Sequence, residues 1–213
     1  MDDERLGDDL DLIEPCQAVV DALAGRGWGA FPGFMEPEEV RELARECRTL
    51  WDAGGFRHAG VGRGELLHVN ADVRTDHIMW LDPELATPAQ LRWHERMEKL
   101  RLAINRDLYL GLADYEGHFA IYPPGSFYRR HRDQFRENGL RTITTILYLN
   151  KEWRLEDGGQ LRLYLQSGEE SPYVDILPEA GTLVSFLSGP FLHEVLPAGR
   201  QRMSLTGWYR KRM

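Results

Sequence analysis

The chain has 213 residues, 42% of them hydrophobic and 10% aromatic with six tryptophans, a composition that buries a substantial core and excludes a disordered chain. Its formal net charge of −8 excludes a general nucleic-acid binder, since phosphate affinity is mostly positive charge. No apolar run approaches the roughly 20 residues of a membrane-spanning helix, and the two cysteines, Cys16 and Cys47, lack the spacing of a disulfide framework or a thiolate zinc site.

The first 14 residues hold seven acids against one arginine and are expected to form a flexible, solvated tail. An acidic start is the opposite of a secretory leader, and with two reduced thiols it predicts a cytoplasmic location. Residues 15–213 read as one domain, with helical support over about 15–115 and a β core over about 117–210. Pro15 to Leu23 is a short amphipathic segment closed by "AGRG", a good C-cap composition, and Trp28 to Phe31 reads as a strand. A helix follows from Pro37, with acids in its first turn and Gly54 and Gly55 as its stop; Val40, Leu43, Ala44, Cys47 and Leu50 mark its core face. The glycine-rich stretch from Gly54 to Gly64, carrying Arg57, His58 and Arg63, predicts a mobile loop, and a strand then ends at Trp80. A long helix is expected from about Pro88 to Leu110, with Leu91, Met97, Leu100, Ile104 and Leu108 on or near one face. His58, His68, His77, His94 and His118 show no ligand spacing and read as surface or packing residues.

After Gly117 the period changes. "HFAIYPP", "SFYRRH", "LRTITTILYLN", "GQLRLYL", "YVDIL", "TLVSFL", "FLHEVL" and "MSLTGWYRK" are short β-branched or aromatic runs separated by Gly, Pro, Asn and Asp. Such a series indicates an antiparallel sandwich or jelly roll. The fold class is therefore α+β with a mainly β core and the N-terminal helices packed outside it.

Positive charge gathers around one histidine and one carboxylate in "YRRHRDQFRENGLRTITTILYLNKEW". His131 and Asp133, two apart on or just after a strand, can share a face, and His193 downstream in "GPFLHEVLPAGRQRMSLTGWY" can complete a two-histidine, one-carboxylate set. Such a set leaves three positions of an octahedral metal open, which suits Fe(II) oxygen chemistry. A surface histidine beside an aspartate is the plain alternative for the His-x-Asp pair taken alone. Arg202, nine residues after His193, could grip a dicarboxylate with a bidentate fork, Tyr148 could hydrogen-bond the same carboxylate, and Thr206 could line that pocket. Of the arginines around His131, alternation sends some to solvent; Arg130 or Arg132 could orient an acidic substrate segment at the entrance.

The stretches "YPPGSFYRRHRD", "RTITTILYLNKEW", "EDGGQLRLY" and "HEVLPAGRQRMSLTGWY", in this order and spacing, resemble the prolyl-hydroxylase branch of the 2-oxoglutarate/Fe(II) dioxygenases, notably the oxygen-sensing hypoxia-factor hydroxylases and their bacterial relatives. "VRTDHIMWLD" extends the resemblance into the N-terminal half. The resemblance implies a double-stranded β-helix, Fe(II) held by His131, Asp133 and His193, and 2-oxoglutarate with its far carboxylate on Arg202 and Tyr148. It places Tyr122, Thr206 and Leu161 around the cosubstrate and Tyr128, Arg130, Arg141 and Trp208 around the substrate, with Arg141 paired to Asp76 and the Gly54–Gly64 stretch as a lid. It implies O2 as co-reactant, ascorbate as a supporting reductant, and hydroxylation of a prolyl residue in a protein, a translation component among bacterial members, with neither nucleic acid nor membrane as partner. The same chemistry on another side chain or a small molecule, and a jelly-roll protein that binds metal and dicarboxylate without turnover, stand as alternatives.

Overall fold

The computed structural model describes residues 3–60, 68–134, 139–168 and 170–212. Helix α1 (Asp3–Arg26) leads into β1 (Trp28–Phe31), α2 (Pro37–Asp52), β2 (Arg57–His58), β3 (His77–Trp80) and α3 (Pro88–Leu108). The core strands are β4 (Leu112–Tyr122), β5 (Tyr128–His131), β6 (Arg141–Tyr148), β7 (Leu161–Tyr164), β8 (Tyr173–Ile176), β9 (Leu183–Leu187), β10 (His193–Val195) and β11 (Arg202–Lys211). They form a seven-stranded sheet of order β1-β9-β6-β11-β4-β3-β2 and a four-stranded sheet of order β5-β10-β7-β8, paired antiparallel throughout. This is the double-stranded β-helix with helices outside it.

The large sheet is buried on both faces, which is why its strands read as almost continuous apolar runs. Phe119, Ile121, Ile143, Leu147, Met203, Leu205 and Tyr209 face the helices, where they pack with Leu43, Trp93, Met97, Leu100 and Ile104. The residues between them in sequence, including Ala120, Tyr122, Ile146 and Tyr148, face the smaller sheet and meet Leu161, Leu163 and Val195. Period two thus divides each long strand between a structural face and an interior face. Helix α3 is anchored to the sheet by the Tyr209 hydroxyl, which donates to Met97 O at 2.8 Å, and by Asn105, whose side chain both accepts from and donates to the Leu112 backbone at 2.8 Å.

Four expectations change. Helical backbone is described from Asp3 onward, so the segment expected to open at Pro15 belongs to a longer helix. Leu91 is 47% exposed, and Trp93, fully buried, takes the core position expected of it; an indole covers more apolar area at the point where α3 meets the sheet. Within the expected loop, Arg57 and His58 form β2 by pairing with Ile78 and His77 of β3. The part of the proposed lid at 61–67 lies outside the described residues. Finally, β4 starts at Leu112, ahead of Gly117.

Candidate active site

His131 closes β5 and His193 opens β10, and the antiparallel register sets them directly opposite each other. Asp133 lies just past the end of β5, so the chain turn, and not strand alternation, brings it to the histidines. Its two carboxylate oxygens stand 3.4 Å from His131 Nε2 and 3.5 Å from His193 Nε2. One ligand atom from each of the three residues falls within 4.8 Å of the others, which is a fit for a single metal ion. The opposite ring nitrogens face backbone carbonyls, His131 Nδ1 at 2.7 Å from Arg129 O and His193 Nδ1 at 3.5 Å from Phe191 O. Those contacts favour the Nδ1–H tautomer and leave both Nε2 atoms free to coordinate. Burial pushes the His193 pKa down to about 4, keeping the imidazole neutral. Burial alone would raise the Asp133 pKa, but His193 and His131 more than offset it and hold the carboxyl well below the usual range. Two imidazoles and one carboxylate are the donor set for a non-haem Fe(II) ion with open positions.

Even-numbered residues of β4, β6 and β11 supply the interior wall of a 590 Å³ cavity that contains the triad. On this face Arg202 is 1% exposed, and its Nε donates to Gly159 O at 2.9 Å. No carboxylate among the described residues pairs with it, so a buried cation stands with donors to spare. Tyr122 and Tyr148 flank its guanidinium, with ring centroids 4.9 and 5.0 Å away, and the buried Tyr148 hydroxyl has no hydrogen-bond partner. Burial raises the pKa of both phenols, that of Tyr148 to about 12, so they stay protonated. An unpaired guanidinium beside an unpartnered hydroxyl fits the far carboxylate of a dicarboxylic acid. Leu161 and Thr206 line the same cavity, and Tyr148 lies beside Arg202 at its wall.

Tyr128 stacks on His131 at 3.5 Å between centroids, with the Arg74 guanidinium 4.0 Å above its ring. Trp208 lies against His118 and beneath Arg141, whose guanidinium carbon is 3.5 Å from the indole centroid. Arg141 does not pair with Asp76. It bonds Glu116 at 2.8 Å, while Asp76 is held by Arg74 at 2.6 and 2.7 Å. Arg130 also departs from its expected place: its guanidinium covers the Tyr164 ring at 3.8 Å and donates to Gly168 O, away from the cavity that Arg132 lines.

His118, read as a packing residue, does line the cavity; burial, reinforced by Arg74 and Arg141, pushes its pKa down to about 3. Between pH 6.5 and 3 the unfolded chain binds a proton that the folded one does not, so His118 lowers stability as pH falls through that window. His118→Met is therefore expected to flatten part of the acid loss of denaturation midpoint between pH 6.5 and 4, measured by urea titration at each pH.

Residues 117–210 match the model of the 2OG-Fe(II) oxygenase superfamily. The crystal structure of a Pseudomonas putida prolyl-4-hydroxylase superposes with a TM-score of 0.83 at 47% identity, covering 93% of this chain and 100% of that one. The chain belongs to the prolyl-hydroxylase branch of the 2OG-Fe(II) oxygenases. A Trichoplax adhaerens prolyl hydroxylase, solved with a hypoxia-inducible-factor oxygen-degradation-domain peptide, aligns over 99% of this chain and 94% of its own at 26% identity and a TM-score of 0.84. The Caenorhabditis elegans hypoxia-inducible factor prolyl hydroxylase is 31% identical over 90% of this chain, and human Egl nine homolog 1 is 30% identical over 94%. This oxygenase chain spans 27% of the first of those proteins and 46% of the second.

Three supporting residues of this oxygenase escaped sequence reasoning. Thr144 donates to Asp133 Oδ2 at 2.9 Å and so must accept from Ser188, also at 2.9 Å. Both hydroxyls are fully buried and fix the carboxylate's orientation. Thr144→Val should weaken divalent-metal affinity by about 10–100-fold without unfolding the protein, as loss of an outer partner does, read by calorimetric titration with Mn(II). The third is Gly159, at φ +66, where an added Cβ would lie 3.1 Å from Arg202 Cδ. The doubled glycine of "EDGGQLRLY" was the available signal, since this backbone favours glycine, which also leaves room for the arginine whose donor its carbonyl accepts.

Proposed function

We propose that the protein is an Fe(II)- and 2-oxoglutarate-dependent dioxygenase that hydroxylates a prolyl residue of a protein substrate. The observation that carries this reading is the buried, carboxylate-free Arg202 in one cavity with the His131–Asp133–His193 triad. When bound, Fe(II) with 2-oxoglutarate and O2 supplies an oxidant that hydroxylates an unactivated C–H bond while succinate and CO2 are released. Arg202 and Tyr148 hold and orient the far carboxylate, Tyr122 packs against that guanidinium, and Leu161 and Thr206 shape the cosubstrate's walls. Thr144 keeps Asp133 in its coordinating orientation. Tyr128 and Trp208 line the cavity wall and keep water from the reacting C–H bond, and Arg141, bound over Trp208, fixes that ring.

The Pseudomonas putida, Trichoplax adhaerens and Caenorhabditis elegans relatives are named prolyl hydroxylases, which supports a prolyl substrate; resemblance to bacterial members supports a translation component as its class. Among the described residues no helix is long and apolar enough to cross a membrane, and two free, buried cysteines support a cytoplasmic placement. The deciding experiment incubates proline-containing peptides with the protein, Fe(II), 2-oxoglutarate and ascorbate. One added oxygen located on proline by mass spectrometry, with one succinate per oxygen, is the expected result. Oxygen on another side chain overturns the prolyl assignment, and no succinate from an iron-loaded, folded protein overturns catalysis. Anaerobic addition of 2-oxoglutarate to the Fe(II) protein should in addition give the visible charge-transfer band of a chelated keto acid, weakened in Arg202→Ala.

A further inference from the structure

Six arginines line the cavity: Arg57, Arg74, Arg132, Arg141, Arg202 and Arg210. Three of them have a counter-charge. Arg74 is bound to Asp76 at 2.6 Å, Arg141 and Arg210 share Glu116 at 2.8 and 2.7 Å, and Arg210 also reaches Asp114 at 2.7 Å. Arg202 is buried at the cosubstrate end. Asp133, the other carboxylate of the wall, is occupied by the two histidines.

Arg57 and Arg132 remain. Both are exposed, and no carboxylate among the described residues lies within ion-pair reach of either. Their neighbours show that this is not a general property of the rim. Arg129 donates to Asp72 O and covers Phe127, and Arg130 donates to Gly168 O and covers Tyr164. The two free cations come from different sheets, Arg57 from β2 of the large sheet and Arg132 from the end of β5 in the small one. Arg132 is placed by its sequence between two metal ligands, so its distance from the reacting centre is fixed by the site itself. A chain of net charge −8 repels acidic ligands at long range, and two cations without a carboxylate partner among the described residues of the cavity lining reverse that locally.

Resting on the prolyl-hydroxylase reading, we propose that the rim selects a polypeptide with acidic residues flanking the target proline, and that Arg57 and Arg132 each pair with one of its carboxylates. The pairs are solvent-exposed, so they act on encounter and register more than on raw affinity. They require side-chain carboxylates in an extended segment that crosses the cavity mouth between the sheets.

The test uses fluorescent proline peptides that differ only in two flanking residues, Asp and Glu in one and Asn and Gln in the other. Binding is read by anisotropy to the protein loaded with Mn(II) and 2-oxoglutarate without O2, so that no turnover intervenes. The acidic peptide should bind about five- to tenfold more tightly at low ionic strength, and the gap should narrow at about 0.5 M NaCl. The Arg57→Gln, Arg132→Gln double variant should close the gap by weakening the acidic peptide, and Arg132→Glu should shift preference toward a lysine-flanked peptide. In turnover the same differences should fall in KM more than in kcat. Equal affinity for the two peptides, a gap that survives in the double variant, or displacement of the acidic peptide by an equimolar single-stranded oligonucleotide overturns the proposal. If the neutral peptide is oxidised on proline with unchanged KM, only the acidic selection fails; if neither peptide is oxidised, the prolyl reading fails and takes this inference with it.

Discussion

His193→Ala is expected to lower Fe(II) or Mn(II) affinity by more than roughly 100-fold and to abolish succinate formation, with the β-helix still folded. The magnitude follows from rank: loss of a residue that merely orients a ligand costs about 10–100-fold, and loss of the ligand itself must cost more. His193 sits opposite His131 in a four-stranded sheet whose register is set by backbone pairing with Leu163 and by Val195 opposite Leu161, none of which needs the imidazole. Alanine leaves a gap beside Phe186, which stacks edge-on against the ring at 4.8 Å, and a modest loss of stability follows. The consequence for Asp133 is electrostatic. With His193 removed, one of the groups that stabilise its ionised form is gone while His131 and Thr144 remain, so burial weighs more and its pKa moves up. Metal binding in the variant should therefore be weaker and also more sensitive to acid. Calorimetric titration with Mn(II) at two pH values separates the two effects. Wild-type affinity in a folded His193→Ala protein would move the metal away from this triad.

Much of the site is legible in the amino-acid sequence, because its residues carry unusual chemistry at fixed spacing. A His-x-Asp pair, a later histidine and an arginine nine residues beyond it are few enough to stand out, and the fold brings His131, Asp133, His193 and Arg202 around one cavity. Pairings that depend on strand register could not be read. Strand β11 runs between β6 and β4, so Arg210 faces Arg141 on one side and Asp114 on the other, and Trp208 faces Thr144 and Glu116. Arg141 therefore reaches across the indole of Trp208 to Glu116. Asp76 needs no distant partner, since Arg74, two residues away, already binds both of its oxygens. Thr144 was invisible for another reason: "RTITTILYLN" offers several threonines, and nothing in that string separates Thr144, which orients Asp133, from Thr145, which bonds Tyr115. The eight β runs were legible through period and punctuation. The burial of the large sheet on both faces was not, because alternation of apolar with apolar leaves no contrast.

Arg202→Met should separate function from stability with opposite signs. Affinity for 2-oxoglutarate is expected to fall by about 3–5 kcal/mol, or roughly two to four powers of ten, the cost of removing one partner of a buried, hydrogen-bonded charge pair. Fe(II) affinity should stay near wild type, since Arg202 touches none of the three ligands. Without cosubstrate the variant should be at least as stable as wild type. The guanidinium is 1% exposed and has one hydrogen bond, to Gly159 O, and no carboxylate, so folding carries an uncompensated desolvation cost. The lost hydrogen bond works against this by about 1 kcal/mol, while a methionine between the Tyr122 and Tyr148 rings removes a penalty of several kcal/mol. The net expectation is a Tm raised by at least about 2–4 °C, since each 1 kcal/mol shifts Tm by that much in a protein of this size. Millimolar 2-oxoglutarate should raise the wild-type Tm and leave that of Arg202→Met unchanged, because stabilisation by a ligand scales with its occupancy of the folded state. Paired thermal melts with and without cosubstrate measure both signs. A variant that melts lower yet still responds to 2-oxoglutarate would make Arg202 a structural cation held by the Gly159 carbonyl, and the cosubstrate's carboxylate would then need another host in the cavity.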